Sequence, residues 1–132
     1  MPIKHILVPF EGSIASNSAF DKALGIAKEN NAKITVIAVL DHNLTEGSFD
    51  QVLVEGTIPQ LKTIHDQKIV EKQWPELQRK AREANVELEG RCINGNGEGL
   101  QAGEIVNFAT RNKIDLIVTG NRENGTQSLF FL

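Results

Sequence analysis

The chain has 132 residues, 40% apolar and 23% charged, a balance that suits one folded domain with a modest core and excludes a disordered segment. Net charge is −3 and no Lys/Arg run marks a basic face, so neither nucleic acid nor an anionic membrane is an expected partner. A single cysteine, Cys92, excludes an internal disulfide and a multi-cysteine metal site, and the absence of a secretory or membrane-spanning run in the sequence makes cytoplasm the expected location.

Ile3 to Phe10 is short, apolar and β-branched, and reads as a buried strand. Ala15, Ala19, Ala23, Ile26 and Ala27 then recur at helical spacing over residues 14–29, with Asn30-Asn31 as a stop that tolerates the left-handed conformation. Lys33 to Leu40 is a second strand, apolar enough to be covered on both faces. Residues 41–56 are polar and irregular, and such a long loop is expected to be mobile. Helical periodicity returns from Thr57 to Ala84, broken at Pro75, where a kink or a new start is expected. Val86 to Ile93 alternates as a strand with one wetter face, expected at a sheet edge. After the Gly-rich turn Asn94 to Gly99 comes a helix near Gln101 to Asn112, and then a compact strand, Asp115 to Thr119, ended by Gly120. Alternating strands and helices predict one α/β domain over residues 1–132, built on a doubly wound parallel sheet.

In open parallel sheets ligands bind beyond the carboxyl ends of the strands, where the strand order reverses. The residues just after each strand are therefore the candidates. Pro9, Phe10, Glu11, Gly12 and Ser13 follow the first strand, Val39 to Asp41 close the second, and Gly120, Asn121 and Arg122 follow the fourth. A carboxylate at Glu11 suits ribose hydroxyls or Mg²⁺, and a glycine-containing turn beside a cation lets backbone N–H groups approach phosphate oxygens. An ordinary strand-to-helix turn, with Ser13 or Ser16 as N-cap and Glu11 complementing the helix dipole, accounts for the same residues.

ILVPFEGS at residues 6–13, AKITVIAVLD at 32–41 and IDLIVTGNR at 114–122 together resemble, in order and separation, the first, second and fourth strands of the universal stress protein family. The resemblance covers nearly the whole chain. It implies a Rossmann-like fold of the adenine nucleotide α-hydrolase type and a small stress-response protein that binds ATP or AMP, with Mg²⁺, rather than an enzyme; slow ATP hydrolysis is the most it implies. Carried over, Pro9 and Glu11, with Phe10 between them in the site, would stand at the ribose side, Val39 would meet adenine through its backbone, Gly120 would begin the phosphate loop, followed by Asn121, and Arg122 would lie beside the phosphates.

The family's phosphate motif runs G-x-x-G, nine residues, then G-[ST]. Here Glu11 replaces the usual Asp, Glu123 replaces the second glycine with Gly125 two residues on, and the closing glycine would fall at position 133. These departures imply a weakened site, and a fold lacking the family's last helix and fifth strand. Asp115 to Thr119 would then present an open edge, and the tail Ser128 to Leu132 would fold back on the sheet or pair with a second copy, so a homodimer is expected. The rival reading is an interaction module of the same fold that binds no nucleotide. An adenylating enzyme would need further substrate-binding segments, and a phosphoacceptor receiver would need acidic strand ends.

Other features carry less. Gly97-x-Gly99-x-x-Ala102 matches a dinucleotide fingerprint but follows the third strand instead of the first. His5, His42 and His65 share no ligand spacing, no metal site is expected, and Cys92 reads as a small buried apolar residue.

Overall fold

A computed structural model of the chain describes residues 3–10, 12–40, 47–48, 72–94, 102–121 and 126–132, with positions 38–40, 47–48, 92–94, 102 and 104 placed by backbone alone. The described elements are β1 (His5–Pro9), α1 (Ile14–Asn30), β2 (Lys33–Leu40), β3 (Gly47–Ser48), α2 (Trp74–Glu83), β4 (Leu88–Asn94), α3 (Ala102–Arg111), β5 (Leu116–Gly120) and β6 (Gln127–Phe131). They form one sheet in the order β3-β4-β2-β1-β5-β6. The four inner strands run parallel, while β3 and β6 pair antiparallel at the two edges.

The apolar runs become inner strands because both of their faces are covered. Ile6, Val8, Ile34, Val36, Leu116 and Val118 pack with Phe20, Ala23, Trp74 and Leu77 on the α1–α2 side. Leu7, Ile37 and Ile117 meet Phe108 and Ala109 of α3 on the other. Pro75 lies in the first turn of α2, where its missing N–H costs nothing, so the expected new start is there.

All three described helices hand over to a strand through the same joint. A left-handed residue ends each helix: Asn31 (φ 53°), Asn85 (φ 58°) and Lys113 (φ 56°). The next residue, Ala32, Val86 or Ile114, is buried and donates its N–H to a carbonyl five positions back, on Ala27, Ala81 or Ala109 respectively, at 2.9–3.0 Å. This closes the helix carbonyls that would otherwise lack partners and turns the chain sharply under the sheet.

Three expectations need correcting. The expected lack of a last helix and fifth strand is not borne out, and the outer edge of β5 is not open, since the sheet continues past the fourth parallel strand. The tail folds back as β6, with Leu116 to Gly120 opposite Phe131 to Gln127 in continuous antiparallel register. The unpaired N–H and C=O groups of β5 are what recruit it, since an apolar strand beside an unfilled edge gains a full ladder. The sheet is accordingly mixed, not wholly parallel. Within the 41–56 segment, Gly47–Ser48 pairs with Arg91 and Cys92, so β4 is next to the edge instead of at it. The remainder of that segment, the expected helix from 57 to 71 and the turn at 95–100 with Gly97 and Gly99 lie outside the described residues, as do His42 and His65.

Candidate functional site

The strand order reverses between β1 and β5. Chain leaving β1 crosses one face through α1, while chain entering β5 arrives from the other face through α3. Beyond their carboxyl ends is the crevice where such folds hold ligands.

Pro9 makes that crevice. His5 accepts from Asp115 N–H on the β5 side, whereas Lys4 accepts from Lys33, and Phe10 donates to Ile37 at 2.8 Å, on the β2 side. By strand alternation the nitrogen of Pro9 faces β5, and it has no hydrogen to give. Pairing of β1 with β2 accordingly runs from His5 to Pro9, but pairing with β5 stops at Leu7 and Ile117. The strands part where the ligand end begins.

The floor of the crevice is the turn into α1. Gly12 has φ 87°, a conformation that favours glycine, and it points the chain into the helix. Ser13 caps α1, accepting the Ser16 N–H at 3.1 Å, while Ser16 Oγ and Asn17 Nδ2 each donate to the Ser13 carbonyl at 3.0 Å. Gln73, at the head of α2, joins this turn from a distance: its Nε2 donates to the Gly12 carbonyl and its Oε1 accepts from Asn17 Nδ2, both at 3.2 Å.

Gly120 forms the opposite wall. A Cβ placed there would lie 2.2 Å from the carbonyl oxygen of Ala15 and 2.4 Å from its carbon, so the first turn of α1 rests directly on the β5 backbone. The N–H of Asn121 then donates to the Thr126 carbonyl at 2.9 Å, extending the β5–β6 pairing beyond Gly120 and Gln127.

Among the residues picked from sequence, Pro9 ends β1, and Gly120 and Asn121 close β5, at the carboxyl side of the sheet. Phe10 is there by backbone only, because its side chain is buried in the core with Phe20. Val39 is on β2, paired with Ile93 of β4, one strand away from the β1–β5 gap. Glu11, Arg122 and Glu123 lie outside the described residues. Reading the sequence missed Asn17 and Gln73, and no local signal marks them; their meeting depends on how α2 docks.

The amino end of a 17-residue helix supplies N–H groups and a positive dipole end at the crevice, and its first turn packs against the backbone of Gly120. At the other end of the sheet His5 Nε2 meets Thr35 Oγ1 at 2.6 Å. Burial, helped by the Lys33 ammonium, holds that imidazole below its ordinary pKa. Also at that end, a groove of about 370 Å³ is lined by Lys4, Lys28, Lys33 and Glu87. Lys33 is already paired with Glu89 at 2.6 Å and Glu87 at 3.5 Å. No described helix is long and apolar enough to cross a membrane.

A family model described as "Universal stress protein family" matches residues 2–132. The chain belongs to the universal stress protein family. A curated universal stress protein of Methanocaldococcus jannaschii is 33% identical over 120 residues, covering 89% of this chain and 64% of that relative. The universal stress protein domain described here thus spans just under two thirds of that relative's length. Among solved structures, a universal stress protein in complex with cAMP superposes with TM-score 0.61 at 21% identity, covering 96% of this chain and 78% of that one. A family member from Arabidopsis thaliana with AMP bound gives TM-score 0.56 at 20% identity, covering 93% and 80%. At these identities the likeness is one of fold.

Proposed function

We propose that this domain binds an adenine nucleotide, of the ATP or AMP class, in the β1–β5 crevice, and that it acts in a stress response by binding rather than by turnover. The observation that carries the reading is the parting of β1 from β5 at Pro9, directly over the amino end of α1 and the bare backbone of Gly120. In this reading phosphates would rest against the N–H groups of the helix end, with Mg²⁺ as their counterion. Universal stress proteins of the same fold are described in complex with cAMP and with AMP, which supports the adenine class. Titration calorimetry with AMP and with Mg-ATP tests it, and affinity above micromolar in dissociation constant is expected because Glu11 and Glu123 depart from the family motif. Absence of binding at millimolar nucleotide overturns the reading. Phosphate release at multiple turnovers per minute would contradict the non-enzymatic role.

A second reading, self-association, rests on β6. Leu129 and Phe131 lie opposite Val118 and Leu116 on the α1 face of the sheet, while Phe130 lies opposite Ile117 on the α3 face. Phe130 is 53% exposed and Phe131 66%. A strand apolar on both faces is the pattern of a sheet interior, and no charge lies between Thr126 and Leu132 to protect the edge. Pairing with the same strand of a second copy would cover it.

A further inference from the structure

Gln73 comes from a different helix than the turn it touches, 61 residues away from Gly12 in the chain. The orientation of its amide follows from its partners. The Gly12 carbonyl can only accept, so the nitrogen of Gln73 must face it, which leaves the oxygen for the Asn17 amide hydrogen. The other Asn17 hydrogen goes to the Ser13 carbonyl. Two side-chain amides thereby hold two consecutive backbone carbonyls, those of Gly12 and Ser13.

In a trans peptide the N–H points opposite to the C=O of the same unit. Fixing the Gly12 and Ser13 carbonyls therefore fixes the directions of the Ser13 and Ile14 N–H groups. These are the first donors of α1, at the floor of the crevice. Glycine at position 12 gives the turn its left-handed geometry but, lacking a side chain, nothing to keep it there. The restraint has to come from elsewhere, and in this fold it comes from the head of α2.

We propose that Gln73 is a positioning residue for the nucleotide crevice: through Asn17 it locks the β1–α1 turn, and movement at the head of α2 reaches the ligand end of β1 through its amide. The regulatory part of this rests on the nucleotide reading above. Binding that orders the turn would be felt at the start of α2, and a partner that shifts α2 would loosen the turn.

Gln73→Glu tests this with a change of one atom, because it sets a carboxylate oxygen against the Gly12 carbonyl. Gln73→Ala serves as the second variant and removes both bonds without adding charge. Amide hydrogen exchange by NMR is compared over Gly12 to Asn17 and over β2, together with AMP titration of parent and variants. Exchange in the turn about tenfold faster, with β2 unchanged and AMP affinity reduced by a similar factor, is the expected result. Unchanged turn exchange in both variants overturns the clamp. A loosened turn that still binds AMP with the parent's affinity overturns the positioning role. If the parent binds no AMP, the nucleotide reading fails by itself, and the exchange comparison still decides whether Gln73 holds the turn.

Discussion

The backbone of Ala15, in the first turn of α1, occupies the space that a side chain on Gly120 would need, with its carbonyl oxygen 2.2 Å from the position of a Cβ. A residue that the family motif presents as the opening of a phosphate loop is therefore also the contact that seats α1 on β5. The two roles select the same amino acid for different reasons.

Gly120→Ala should destabilise the domain by at least about 3 kcal/mol, since the nearest atoms are backbone and cannot rotate away. Ala15→Gly in the same chain should recover little, because it removes only the third-nearest atom, the Ala15 Cβ at 2.9 Å. Urea unfolding of the single and double variants measures both effects. A near-neutral Gly120→Ala would mean that α1 does not approach β5 this closely.

Glu123→Gly should strengthen binding of Mg-ATP if charge and bulk at the turn after β5 are what oppose phosphate. Calorimetry of the variant against the parent reads this directly. An unchanged or weaker affinity would place the obstacle at Glu11 instead.

Stability should fall as pH drops below about 6.5, the ordinary histidine value. The folded imidazole of His5 has a lowered pKa, through burial first and Lys33 second, against raising effects from Glu89, the Asn112 backbone and Asp115. Between the folded and the ordinary value the unfolded chain binds a proton that the folded chain does not, so protonation favours unfolding in that window; below the folded value the loss levels off. Unfolding midpoints at several pH values check this, with His5→Asn as the variant expected to flatten the slope. An NMR titration placing His5 above its ordinary value would reverse the sign.

Phe130→Lys should reduce self-association without unfolding the domain, because that side chain is half exposed and near the sheet edge. Sedimentation velocity should show the mass of the parent rising with concentration and the variant staying monomeric. A parent that remains monomeric at high concentration contradicts the second reading. Deleting residues 126–132 is a different experiment: it bares β5 and should lower stability as well.

Lys113→Gly should stabilise by about 0.5–1 kcal/mol, because Lys113 is held at φ 56° with a side chain that this region disfavours. The same change at Asn31 should gain less, since asparagine tolerates that region. Thermal unfolding of the two variants compares them.

Much of this fold can be read along the chain. The inner strands announce themselves as apolar runs because both of their faces are covered, and Asn30-Asn31 marks the end of α1 because few residues accept a left-handed exit. Lys113 gives no such sign, since lysine has no preference for that exit and packing imposes it. Pro9 and Gly120 are legible as members of the site, though their structural roles, ending a ladder and admitting a helix, emerge only from which strands neighbour one another. Phe10 is at the end of β1 as its position in the chain indicates, while strand alternation turns its side chain into the core. The pairing of SLFFL with β5 depends on an edge that sequence places only indirectly. Gln73 is invisible in sequence because its partners are 56 and 61 residues away.

The three matching helix-to-strand joints at Asn31, Asn85 and Lys113 have a consequence for how this scaffold can change. Each fixes the distance from helix end to strand start, so one inserted residue would turn a strand over and present its polar side to the core. The amino-terminal end of the sheet is thus a chassis with almost no freedom to drift, and the Gly120–Ala15 contact fastens α1 at the other end. An engineer seeking a new ligand would leave residues 30–34, 84–88 and 112–116 untouched. Sequence divergence within the family should be distributed in the same lopsided way.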